Sequence, residues 1–290
     1  MGIPMNSECY VCHLRRQTET ARALAGNAAA DAVARGLMEA YLSAPLDEGS
    51  PWFGPITTHL LEEYCGLQGD RFAQEKEDSN RFVITRLDAI RQRIQAAEDP
   101  VYAGLQYAIL GNYIDFSALQ GDVSFEKLDE MLDEAHNFHL DRDTYARFLQ
   151  DLQQGKKLLY LTDNAGEIGF DRLFGEEIQK HFPHLSITFC VRGGPASNDA
   201  TRVDAEAVGV PFQVIDNGTC IAGTVLSQLG EEAKQAMDEA DVILAKGQAN
   251  VEGLFGCGYP IYYAFLVKCT RFIQLFKKPK LTPMFLKEGT

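Results

Sequence analysis

The stretch LLYLTDNAGEIGFDRLF, Leu158 to Phe174, decides how the chain is read. A short apolar run stops at Asp163. An amide, two small residues and an acid follow, and then apolar residues recur at helical spacing. That is a strand ending in a turn that feeds a helix. The same punctuation recurs further on. KKLLYLTD, LSITFCVRG, PFQVID and DVILAKG are short, apolar and rich in β-branched or aromatic residues, and helical patterns lie between several of them. The alternation predicts an α/β fold with a mainly parallel sheet and helices on both faces. CTRFIQLF, near Cys269, is a candidate fifth strand.

Before Lys156 the pattern is helical throughout. The Ala-rich run from His13 to Ser43 predicts one or two helices. Pro55 and Gly66 mark the start and end of another. Apolar spacings of three to four through Ile84, Leu87, Ile90 and Ile94 predict an amphipathic helix ending near Asp99-Pro100. VYAGLQYAILGNYIDFSA reads as a buried helix, Ser124 as a helix start, and Gly155 as a helix end. These readings place a boundary near residue 153, with a helical domain over 1–153 and an α/β domain over 154–290.

The net charge is −14, from 27 basic and 41 acidic residues. Nucleic-acid binding rests on basic side chains that neutralise phosphates, so no nucleic-acid partner is expected. No window approaches the roughly 20 apolar residues of a membrane span, and no membrane partner is expected. Seven scattered cysteines and no signal-like opening predict a reduced, cytoplasmic setting.

In open parallel sheets, ligands collect at the carboxyl ends of strands. Three polar clusters fall there: Asp163 to Glu167, Gly193 to Thr201, and Lys246 to Gly253. Adjacent strand residues face opposite ways, so Asp163 and Asn164 share a ligand only where the chain turns out of the strand. Ala165 and Gly166 are small enough to permit that turn. Asp and Asn oxygens suit Mg²⁺ or Mn²⁺ better than zinc, and Asp199 offers a second carboxylate. The alternative is that these residues are turn formers and that Asn198 or Asp199 caps a helix. Lys246, before Gly247, suits an anionic group or is a solvated lysine beside a turn. Asn112 and Asp115 follow an apolar helical run and either close the site or cap that helix. Cys9 and Cys12 form a C-x-x-C that His13, Cys65 or His59 would have to complete as a metal site; inert thiols and a redox pair are the other readings. Cys190, Cys257 and Cys269 read as buried apolar residues. His136 and His139 lie near a helix end. A strand followed by Asp also suits haloacid-dehalogenase phosphatases, but their second acid is replaced here by Ala165.

LTDNAGEIGFDRLF, NDATRVDA, VIDNGTCIAGT and AKGQANVEGL, in that order, resemble the metal-dependent damage-control phosphatase family, long called domain of unknown function 89. CYVC and LGNYIDF resemble its prokaryotic branch, so the likeness spans nearly the whole chain. It implies a helical N-terminal domain on a three-layer α/β/α domain. It also implies one divalent cation (Mg²⁺, Mn²⁺, Co²⁺ or Ni²⁺) held by Asp163, Asn164 and Asp199. Asp163 and Lys246 would be catalytic. Asn198, Glu167, Lys246, Gly166 and Asn112 would bind substrate, and Glu252 lies in a matching motif. Ala249 and Gly253 depart from the usual pattern. The implied reaction is hydrolysis of small phosphorylated metabolites, sugar phosphates among them. Water or Asp163 would attack the phosphorus. The alternatives are a carboxyl methyltransferase, for which no G-x-G-x-G follows the first strand, and a non-enzymatic metal or nucleotide sensor.

Overall fold

Leu158 to Leu161 are all buried, so the first strand, β1 (Lys157–Leu161), is covered on both faces, as an apolar run without alternation requires. The computed structural model describes residues 2–115 and 124–288; Phe116, the last residue of LGNYIDF, lies outside them.

Among the described residues, seven α-helices precede that strand: α1 (Ser7–Ser43), α2 (Gly54–Cys65), α3 (Ala73–Ile84), α4 (Leu87–Ala96), α5 (Pro100–Gly111), α6 (Phe125–Asp133) and α7 (Arg142–Gln154). After β1, the chain runs through α8 (Glu167–His181), β2 (Ser186–Val191), α9 (Arg202–Ala207), β3 (Gln213–Asp216), α10 (Glu231–Glu239), β4 (Val242–Lys246), α11 (Gly247–Leu254), β5 (Ile261–Leu266), α12 (Thr270–Phe276) and β6 (Pro283–Lys287).

The sheet order is β3-β2-β1-β4-β5-β6. All neighbours are parallel except β5 and β6, which are antiparallel. The chain steps outward from β1 to β3 and then returns to place β4 on the other side of β1. That reversal opens a crevice between the carboxyl ends of β1 and β4, where ligands bind in such sheets. Asp163 follows the end of β1 and Gly247 the end of β4.

Strand alternation sorts the core into two layers. Leu158, Tyr160, Val242 and Leu244 join α4, α5, α7 and α8 in one apolar cluster. Leu159, Leu161, Ile243 and Ala245 join Ala233 and Met237 of α10, Leu254 of α11 and Phe272 of α12 in the other. The three-layer α/β/α expectation therefore holds. Helices from the first half supply much of one layer, and every residue from Val101 to Gly111 of α5 is buried. A separate small cluster of Val33, Leu37, Leu60 and Leu61 joins α1 to α2.

Three local readings need correction. CTRFIQLF is a helix, α12; Phe272 and Phe276 are four apart, so both reach one face, and Cys269 is the extended residue before it. The fifth strand is Ile261–Leu266, a continuous apolar run whose periodicity is silent. The helix predicted to end near Asp99-Pro100 is two, α3 and α4. Asp99 instead caps the start of α5, accepting from Tyr102 N at 3.0 Å with Pro100 in the first turn.

Candidate active site

The end of β1 does turn out of the sheet. Asn164 and Asp199 form an antiparallel bridge. Ala200 N donates to Asp163 O at 2.7 Å and Ala165 N to Asn198 O at 2.9 Å. The polar segment after β2 thus folds back along the segment after β1. Asp163, Asn164, Asn198 and Asp199 are all nearly buried yet line one cleft of about 560 Å³. Gln248, Ala249 and Glu252 form another part of its wall, so all three polar clusters converge there.

Amides orient the first carboxylate. Asp163 Oδ2 accepts from Asn112 Nδ2 at 2.9 Å and from Asn164 Nδ2 at 2.8 Å. Asn112, at the end of α5, also accepts from Leu266 N at 3.1 Å, which ties α5, β5 and the site together. Glu167, fully buried, accepts from Asn164 Nδ2 at 2.7 Å and Asn112 Nδ2 at 3.0 Å. This fixes the Asn164 side chain so that its Oδ1 faces Asn198 Nδ2, at 2.8 Å. Asp199 Oδ2 accepts from Arg192 Nε at 2.7 Å and Gly223 N at 3.1 Å. Among the described residues, Oδ1 of Asp163 and Oδ1 of Asp199 have no protein donor.

The electrostatics of this floor are unbalanced. Burial, then the charges of Asp199 and Glu167, hold the Asp163 carboxyl well above the usual carboxylate range. Burial also raises Asp199, although Arg192 opposes it. Two buried carboxylates with open oxygens, flanked by amide oxygens, fit a hard divalent cation. Among the described residues, no three His, Cys, Asp or Glu side chains gather around a metal position, so a donor set here would be carboxylate plus amide. Such a set leaves coordination positions for water and substrate. Cys9 and Cys12 also line the cleft. The side chains expected to complete a site with them are engaged elsewhere: His13 with Tyr41 and Thr57, His59 with Glu63, and Cys65 with Ala21 O.

Lys246 takes a different place from the one expected. Its ammonium is fully buried and bonded to Ala108 O at 2.8 Å, Glu167 Oε1 at 2.7 Å and Asp171 Oδ1 at 2.6 Å. All three protons are used, and Lys246 is not among the cleft-lining residues. It braces Glu167 from behind. The N–H groups after Asp163 are engaged too. Asn164 N reaches Glu167 at 3.3 Å, and Gly166 N donates to Asn80 Oδ1 at 2.7 Å. Gly166, with φ 75°, makes the turn into α8 rather than presenting a donor.

Sequence reasoning missed Arg192, Asp171, Asn80 and Asn250. Asn250 donates to Thr162 O at 3.1 Å and Lys246 O at 2.7 Å, and accepts from Thr224, fastening α11 to the end of β1. Arg192 alone had a signal: a charged residue directly closing a buried strand.

Gly247 is packed directly against the Asp163 carboxylate. Its φ is 76°, and a Cβ there would lie 1.9 Å from Asp163 Oδ2. Gly247→Ala displaces the carboxylate and strains the backbone. We expect metal affinity, measured by calorimetry, to fall at least about tenfold, in the range that follows loss of a group orienting a ligand. Unchanged affinity would show that Asp163 is not a ligand in this position.

The damage-control phosphatase ARMT1-like domain matches residues 5–281. A Methanocaldococcus jannaschii protein, MJ0202, is 30% identical over 92% of this chain and 90% of its own. An Archaeoglobus fulgidus damage-control phosphatase is 32% identical over 74% of this chain and 77% of its own. The solved structure of PH1575, a DUF89 family protein of Pyrococcus horikoshii, matches with a TM-score of 0.83 at 25% identity, over 99% of this chain and all of that one. With its fold, its motifs and nearly its whole length matched, the chain belongs to the damage-control phosphatase ARMT1-like family.

Proposed function

We propose that this protein is a metal-dependent phosphatase acting on small phosphorylated metabolites. The observation that carries the reading is the pair of buried, open-oxygen carboxylates, Asp163 and Asp199, at the switch point of the sheet. The relatives named as damage-control phosphatases support it. Asp163, Asn164 and Asp199 would hold a divalent cation, which when bound supplies Lewis-acid charge at a phosphate oxygen. Glu167 and Asn112 hold the Asp163 and Asn164 side chains in register, and Lys246 holds Glu167. Arg192 keeps Asp199 aligned. Asn198 and Gln248 offer polar contacts to substrate from the cleft wall. Seven cysteines that all stand as free thiols accord with a reducing, cytoplasmic setting.

The test is phosphate release from p-nitrophenyl phosphate and a panel of sugar phosphates. The protein is first stripped with a chelator and then given Mg²⁺, Mn²⁺, Co²⁺ or Ni²⁺. Release should vanish on stripping and return with at least one cation. Release that ignores the chelator, or none with any cation from folded protein, overturns the proposal. In the latter case, binding of adenosyl-methionine would be the next measurement.

A further inference from the structure

Away from the carboxylates, the same cleft is lined by Arg16 of α1, Arg71 of the segment before α3 and Arg271 of α12. Three separate elements thus bring guanidinium groups to one wall of a protein whose net charge is −14. Arg271 Nε is buried and has no acceptor among the described residues. A buried donor left unbonded is costly, so the position calls for an acceptor. The Arg71 guanidinium lies 4.4 Å over the ring of Phe72, which restrains it. Desolvation and then the nearby charge of Arg16 push it below the usual arginine range, so two like charges stand close together. Asp70, also on the cleft, is engaged by Lys76 at 2.7 Å. Glu252 lies near Arg271, but desolvation lifts its carboxyl to about 7, leaving it an incomplete counter-charge to that arginine at neutral pH.

We propose that these arginines bind a second anionic group of the substrate, so that the molecule turned over carries phosphate at one end and a carboxylate or second phosphate at the other. This rests on the phosphatase reading above and narrows it. The guanidinium fork matches both groups bidentately. A cleft of about 560 Å³ falls within the range of roughly 300–1,000 Å³ usual for small-molecule sites.

Two matched pairs test it. Sorbitol 6-phosphate and 6-phosphogluconate differ by a terminal carboxylate; fructose 6-phosphate and fructose 1,6-bisphosphate differ by a second phosphate. With the metal-loaded enzyme, kcat/KM should favour the doubly anionic member of at least one pair by about tenfold or more, as charged hydrogen bonds allow. Which pair responds identifies the second group. Arg271→Gln and Arg71→Gln should each pull the ratio toward one. Equal rates within both pairs, or a preference that survives both substitutions, overturn the proposal. If none of the four is hydrolysed, the phosphatase reading is still decided by the wider panel above. Calorimetric binding of the same pairs to metal-loaded protein still decides the subsite: tighter binding of a doubly anionic member that is lost in the arginine variants upholds it, and equal binding refutes it.

Discussion

Asp163→Asn should abolish metal-dependent phosphate release while leaving the metal-free protein at least as stable as the wild type. The two effects have opposite signs for one reason. In the metal-free protein, the Asp163 carboxyl is buried against Asp199 and Glu167, and its raised pKa states that ionising it there is unfavourable. The amide is nearly isosteric, and its oxygen can still accept from Asn112 and Asn164. Neutralising the group therefore removes repulsion without leaving a cavity. With a cation bound, the same negative charge becomes the attraction that holds it. Saturation at a hundredfold over the dissociation constant stabilises a protein by about 2.7 kcal/mol. Wild-type protein should show a thermal shift of that order on adding Mn²⁺, and the variant little or none. A Lewis acid contributes several kcal/mol to the transition state, and each ~1.4 kcal/mol is tenfold in rate. The loss in kcat/KM should thus be roughly a thousandfold. If the variant keeps both the Mn²⁺ shift and the activity, Asp163 is not a ligand. A metal-free variant well below wild type in melting temperature would mean that the carboxylate has a structural role instead.

What the sequence disclosed of this site follows from the sheet. Apolar runs buried on both faces end where the backbone leaves the core, so the residues just after Leu161, Val191 and Lys246 had to lie at one edge. Their convergence is a property of parallel strands. The ligand candidates Asp163, Asn164 and Asp199 were legible for that reason. Contacts between residues distant in sequence were not. Arg192 meets Asp199 only because the segment after β2 folds back, and Asn80 reaches Gly166 from a helix 86 positions earlier. Lys246 is the instructive case. Val242 and Leu244 belong to the cluster under α5 and α8. A period of two puts Lys246 on that same face, away from the cleft. The strand's parity carried the answer, but its use required knowing which helices cover which face. A helix was read as a strand at α12, where a short apolar run is ambiguous, and β5 and β6 were not read at all.

Lys246→Met should cost about 3–5 kcal/mol of stability, the range for removing one partner from a buried ion cluster. The ammonium lies between Glu167 and Asp171, with all three side chains at 0% exposure. It also bonds Ala108 O, one of the last four carbonyls of α5, which have no partner within the helix. Removing it leaves two carboxylates facing each other and one helix end unsatisfied. Methionine fills most of the volume, so the loss reports charge rather than a cavity. Adding Asp171→Asn to Lys246→Met should restore part of the loss, because one uncompensated acid becomes neutral; Tyr160 O–H, at 2.7 Å, can still donate to the new amide oxygen. The pH dependence gives an independent check. Even beside Lys246, burial lifts the Asp171 carboxyl to about 7. A raised acid binds more protons folded than unfolded, so its contribution to stability falls as pH rises. The window runs from about 4, where an unfolded aspartate titrates, to about 7, and the contribution is flat above it. Urea unfolding of wild type and Asp171→Asn at intervals across that window should show the wild type losing stability relative to the variant as pH increases. In Lys246→Met, the relative loss should be steeper and extend to higher pH, since no cation remains to favour either carboxylate. A Lys246→Met protein within 1 kcal/mol of wild type at pH 8 would rule out a charged cluster and leave Lys246 as an ordinary buried side chain beneath the site.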